Sequence, residues 1–135
     1  VMGDPAAARA ALQYGSTQGL PALRERVLDR VCRADGVSPG DIGLSANDVV
    51  ITTGSQQLLY LLGEVLFDEG DIVICEAPSY VGALGVFQAA EARVRHVPMD
   101  DDGLVPEALE QTLLECRAAG DRVKFLYTVP NYHNP

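Results

Sequence analysis

Ile72-Val73-Ile74-Cys75-Glu76-Ala77-Pro78-Ser79-Tyr80 is the stretch that decides the fold. Four apolar residues in succession leave no wet face, so the spacing predicts a strand covered on both sides. The chain then breaks into a polar segment with Pro78 and reaches an aromatic at the start of a helix over 80–90. Upstream stands a helix over 55–67, closed by the turn Asp68-Glu69-Gly70-Asp71 and preceded by a short strand, Val49-Val50-Ile51-Thr52. Downstream come a strand over 93–97, a turn at Asp100-Asp101-Asp102-Gly103, a helix opened by Pro106, and a strand over 123–129. Strands alternating with helices require crossover connections. The expected fold class is therefore α/β: a three-layer α/β/α arrangement around a mainly parallel sheet.

Residues 1–47 read differently. Asp4 and Pro5 open an Ala-rich helix over 6–13, and Tyr14 to Gly19 is a glycine-punctuated loop. Leu20, Leu23, Val27, Leu28 and Val31 keep helical spacing, with Pro21 near the start and Gly36 past the end. A connector over 37–47 leads into the βαβαβαβ core expected over 48–135.

At 135 residues and 47% hydrophobic content the chain can build a core. A net charge of −9, with the acids spread over loops and helix starts, argues against a nucleic-acid partner. No apolar run is long enough to span a bilayer, and Val1-Met2-Gly3 does not open a signal peptide. Cys32, Cys75 and Cys116 share no metal-ligand spacing and sit among periodic apolar residues, which predicts buried free thiols and fits a reducing cytosol. The three aspartates at 100–102 read as a solvated turn, and His96 and His133 as a strand-end and a loop histidine without partners. No metal site is expected.

Ligands of open parallel sheets bind beyond the carboxyl ends of the strands. Three polar motifs fall there. Thr53-Gly54-Ser55-Gln56-Gln57 joins a strand to a helix: Gly54 permits close backbone approach, and Ser55 is placed to cap the helix and to offer a hydroxyl. The free amides of such a helix start suit a phosphate, at roughly 1.5–3 kcal/mol per charge-assisted bond; the same five residues also suit a plain cap with no ligand. Tyr80 is placed to stack on a flat heteroaromatic ring, for roughly 0.5–1.5 kcal/mol beyond burial, or simply to pack on its own helix. The third motif is the end of the chain, Pro130-Asn131-Tyr132-His133-Asn134-Pro135.

These motifs, in this order, resemble those of fold-type I pyridoxal-phosphate (PLP) aminotransferases. Glu76 to Leu84 is similar to the corresponding stretch of the 2-aminoadipate, kynurenine and aromatic types, and Tyr14 with Gly19-Leu20-Pro21-Ala22-Leu23-Arg24 resembles another stretch of that family. The resemblance implies the aspartate aminotransferase-like fold, with residues 1–135 as part of its PLP-binding large domain. It implies that Gly54, Ser55 and Gln56 cradle the cofactor phosphate, that Tyr80 stacks on the pyridine ring, and that Asn134 donates a hydrogen bond to the phenolic oxygen. It also implies that Tyr14 reaches across a homodimer interface to the phosphate held by the other subunit. Amino acids and 2-oxo acids would be the substrates.

The reactive lysine of that family lies downstream of the Asn-Pro motif. The only lysine here, Lys124, stands at the amino end of its strand, away from the motifs. The chain therefore reads as a piece of a longer protein, with no catalytic residue of its own and no activity by itself. The alternative is the effector domain of a MocR-type transcription regulator, which shares the Gly-Leu-Pro-x-Leu-Arg pattern. Those proteins often carry Tyr where Asn134 stands.

Overall fold

The computed structural model describes residues 3–134. Val1 and Met2, read above for a leader, and Pro135 of the last motif lie outside the described residues. The chain forms two compact units, Val1–Thr53 and Gly54–Pro135.

In the first unit, helix α1 (Pro5–Ala11) is capped by Asp4, whose Oδ1 accepts from the Ala6 N–H at 2.9 Å. It buries no residue and ends two residues before the predicted Gln13. Helix α2 (Pro21–Ala34) buries Arg24, Leu28 and Cys32, one residue per turn on a single face. Arg24 Nη1 donates to Gln18 Oε1 at 3.1 Å and to the Ala46 carbonyl at 3.0 Å, which ties the glycine-punctuated loop to the connector. A 3₁₀ turn, Ala46–Asp48, is closed by reciprocal Ser45 and Asp48 bonds.

The strand expected at Val49–Thr52 does not form. Ile51 N–H donates to the Gln18 carbonyl at 2.9 Å, but a rung to a loop carbonyl is not a ladder. β-branched propensity does not by itself make a strand. The predicted core therefore loses its first strand.

The second unit contains helix α3 (Gly54–Leu66), strand β1 (Ile72–Ala77), helix α4 (Val81–Ala89) and strand β2 (Arg93–Asp100). Strand β3 (Gly103–Leu104), helix α5 (Pro106–Ala119) and strand β4 (Val123–Tyr127) complete it. The sheet order is β3-β2-β1-β4, with β1 parallel to both of its neighbours. What was read as a turn at 100–103 is the tip of a hairpin, in which Met99 and Asp100 pair antiparallel with Leu104 and Gly103. A two-residue strand is too short to show a period, which is why the pattern did not announce it.

Strand β1 explains its own composition. Val73 and Cys75 point into one cluster with Ala83, Val86 and Phe87 of α4, while Ile72 and Ile74 point into another with Val97 and Cys116. Alternate side chains face opposite layers and both layers are covered, so the four positions 72–75 are all apolar. Phe67 meets Phe125 and Phe87 edge-on, with ring centroids 4.9 and 5.8 Å apart, and extends the first cluster. All three cysteines are free and buried, as the sequence predicts.

Charges gather at the amino ends of the strands. The Asp71 carboxylate, 2% exposed, accepts from Asp68 N–H at 2.9 Å and from Arg122 Nε at 2.6 Å, with Lys124 Nζ at 3.6 Å. Arg122 Nη2 also reaches Asp68 at 2.6 Å, and Arg93 pairs with Asp121 at 2.5 Å. Among the described residues no helix is long and apolar enough to cross a membrane.

Candidate functional site

At the opposite rim, beyond the carboxyl ends of β1 and β4, the second unit holds a cleft of about 380 Å³. Ser55, Tyr80 and Asn134, three residues the sequence singles out, line it together with Leu58, Tyr127 and Val129. They arrive from three elements: the first turn of α3, the residue before α4, and the loop after β4.

Gly54 makes the turn into α3 with φ +81°, a conformation that side chains rarely adopt. A Cβ built there would meet nothing within 4 Å, so the conformation, rather than crowding, calls for glycine. Because the helix already begins at Gly54, Ser55 lies inside the first turn and does not cap it. Ser55 is among the residues lining the cleft. Gln56 departs from expectation too. Its Nε2 donates to the Gly82 carbonyl at 3.1 Å, and its Oε1 accepts from Tyr80 Oη at 3.4 Å. The side chain is engaged with the Tyr80 segment, so the group it can direct at an anion is its first-turn backbone N–H.

Tyr80 is held by this contact and by the space beside it. A Cβ on Gly82 would stand 2.6 Å from Tyr80 Cε1, Tyr80 Cζ and Gln56 Oε1. Only glycine admits the ring in this position. Tyr127, which lines the same cleft, meets Phe87 edge-on at 5.6 Å. Burial foremost, then the neighbouring Cys75, Tyr80 and Glu76, raises the Tyr127 phenol above its ordinary value. Burial foremost, then Glu76, pushes the Cys75 thiol up to about 11, so it is no nucleophile at neutral pH. Tyr14 is fully exposed in the first unit and is not among the residues lining this cleft.

Sequence reasoning gave no role to the group behind this rim. Glu76, 1% exposed, accepts the Thr128 hydroxyl on Oε1 and the Val129 N–H on Oε2 at 3.0 Å. His133 Nε2 lies 3.4 Å from Glu76 Oε2, without the alignment of a hydrogen bond. His133 lies in the loop, as its reading as a loop histidine has it, and stands beside this carboxylate. The available signal was an acid ending an otherwise unbroken apolar strand, because a buried carboxylate must find donors. No group of three or more potential metal ligands occurs among the described residues.

The donor set suits PLP: a hydroxyl and first-turn amides beside an open glycine for the phosphate, an aromatic face for the ring, and an amide for a ring oxygen. Lys124 stands at the other end of the sheet, next to Asp71.

A family model described as aminotransferase class I and II matches residues 4–135. The aromatic-amino-acid aminotransferase 1 of Thermococcus litoralis is 39% identical over 93% of this chain and 29% of its own length. The 2-aminoadipate transaminase of Thermus thermophilus is 40% identical over 93% of this chain and 28% of its own. Among solved structures, the kynurenine aminotransferase of Pyrococcus horikoshii, determined in complex with PMP, superposes with a TM-score of 0.84 at 42% identity. That match covers 95% of this chain and 30% of that one. The chain thus spans less than a third of the length of each of these relatives.

Proposed function

This chain belongs to the aminotransferase class I and II family, and we propose that the protein carrying it is a PLP enzyme that exchanges an amino group between an amino acid and a 2-oxo acid. The observation that carries this reading is the single cleft in which Ser55, Tyr80 and Asn134 meet. In this reading the Ser55 hydroxyl and the first-turn amides of α3, that of Gln56 among them, bind the phosphate, and Gly54 leaves room for it. Tyr80 lays its ring against the pyridine ring and keeps water from that face. Asn134 donates its amide N–H to the phenolic oxygen. When bound, PLP supplies the electron sink that makes the α-hydrogen of an amino acid labile. Tyr127, its phenol raised by burial, keeps its proton beside the ring.

Aromatic amino acids and 2-aminoadipate are the substrate classes favoured, a choice supported by the two relatives named above. A homodimer in which Tyr14 reaches the partner's phosphate belongs to the same reading; the full exposure of Tyr14 is consistent with it. A reducing cytosol is supported by three unpaired buried thiols. Asn134 favours the enzyme over the regulator reading. The test is a single turnover: the PLP-loaded full-length protein, given L-2-aminoadipate or L-tyrosine without acceptor, should release a stoichiometric amount of the matching 2-oxo acid, read by mass spectrometry. A full-length protein that binds no PLP, or that releases no 2-oxo acid from any common amino acid, would overturn the reading.

A further inference from the structure

We infer that Glu76 is a positioning residue: its buried carboxylate fixes the loop that delivers Asn134 to the cleft. The inference rests on the PLP reading for its consequence, though its geometry stands without it. The ladder between β1 and β4 ends at Cys75 and Tyr127. Beyond that pair the chain leaves the sheet, and backbone groups must find other partners. The Glu76 side chain, one residue past the last pair on β1, supplies them. Its two oxygens take Thr128 Oγ1 and the Val129 N–H, two consecutive residues of the departing chain.

Its burial makes this more than a cap. At 1% exposure a carboxylate without donors is costly, and among the described residues no lysine or arginine pairs with it. An apolar side chain would fill the same space, but it would accept nothing from the loop. What the carboxylate adds is a fork that grips two donors at once. Further along, Tyr132 sits at φ +52°, a left-handed conformation that a bulky residue keeps only where its surroundings hold it. Glu76 brackets that kink: Thr128 and Val129 are held before it, and His133 stands 3.4 Å from Oε2 after it. Asn134 is the next residue and lines the cleft. A shift of the loop would move the Asn134 amide relative to Ser55 and Tyr80, which come from other elements.

Two readouts on the full-length protein test this. In the cofactor-free form, Glu76→Gln removes one acceptor oxygen at constant size, and amide exchange over 129–134 should accelerate about tenfold, since a hydrogen bond to a charged group is lost. Exchange at Val73 and Ile74, in the strand interior, should stay unchanged. In the PLP-loaded form, the visible absorption band of the bound cofactor should shift in Glu76→Gln because the amide near its phenolic oxygen has moved. Thr128→Val should shift the band in the same direction while Thr128→Ser, which keeps the donor, should not. That pair decides the matter should Glu76→Gln fail to fold. Loop exchange as in the wild type, exchange that rises evenly through β1 and the loop, or a band equally altered in both Thr128 variants would overturn the inference. A wild-type protein that binds no PLP would sink the proposed function instead, and the exchange data would still decide on Glu76.

Discussion

The two ends of the parallel sheet treat a buried acid in opposite ways. At the amino end Asp71 meets Arg122 and Lys124, and Arg122 and Arg93 find further acids in Asp68 and Asp121. At the carboxyl end Glu76 is buried as deeply but takes neutral donors, a hydroxyl and a backbone N–H, with His133 the nearest ionisable group. One end neutralises its charges among themselves. The other uses a carboxylate to hold a loop, beside a cleft that stays open. The difference teaches where stability and function are kept apart. Ions that cancel can clamp strand starts, whereas a carboxylate that takes neutral donors can hold a departing loop in place.

The largest expected effect breaks the amino end. Asp71→Asn leaves Arg122 facing a neutral amide and weakens the bond from Asp68 N–H. Asp68 N–H foremost, and Arg122 against the opposing effect of burial, hold the Asp71 carboxyl below its ordinary 3.8. A lowered folded-state value means that its stabilisation is present above the unfolded value and disappears as pH falls through the folded one. Thermal melts of the full-length protein should therefore show the variant clearly less stable at pH 7, with the gap to the wild type closing below about pH 3.8. PLP affinity at pH 7 should be unchanged. A gap that is constant with pH would mean that packing, and not the charge, is what Asp71 supplies.

A smaller effect is expected at the other end. Gly82→Ala puts a methyl group 2.6 Å from the Tyr80 ring and from Gln56 Oε1, and all three must move. Overpacking of this kind costs about 1–3 kcal/mol. Here it falls on the position of the ring, so PLP retention on dialysis should drop together with a modest loss of melting temperature. Loss of stability with full retention would show that the ring can tilt away at no expense to the site.

The sequence made the layers legible because β1 states them directly: its unbroken apolar run admits only a strand covered on both faces. The three rim motifs were legible for a related reason, since each follows a strand or opens a helix. What stayed hidden depended on partners. Val49–Thr52 has strand composition yet forms no strand, and β3 is two residues long. The engagement of Gln56 with Gly82 and Tyr80 crosses 24 to 26 positions of chain, and that of Glu76 with Thr128 and Val129 crosses 52 and 53. No local pattern encodes contacts at that separation. The approach of His133 to Glu76 crosses the chain in the same way.

The smallest effect separates the face of Tyr80 from its hydroxyl. If stacking is the contribution, Tyr80→Phe keeps nearly all of it, and Tyr80→Ala forfeits about 0.5–1.5 kcal/mol beyond the lost burial. The Tyr80 hydroxyl donates to Gln56 Oε1 at 3.4 Å, long for a bond between neutral groups. Such a bond falls at the low end of the usual contribution, about 0.5 kcal/mol. Dissociation of PLP from the full-length variants, followed by the decay of its visible band, should rank wild type and Tyr80→Phe close together and Tyr80→Ala well apart. Equal release from both variants would shift the weight to the hydroxyl. The Gln56 side chain would then be the true support of the ring, and Gln56→Ala should reproduce the loss with Tyr80 intact. Release unchanged in both would remove Tyr80 from the cofactor site and leave Ser55 and Asn134 to hold it without a stacking face.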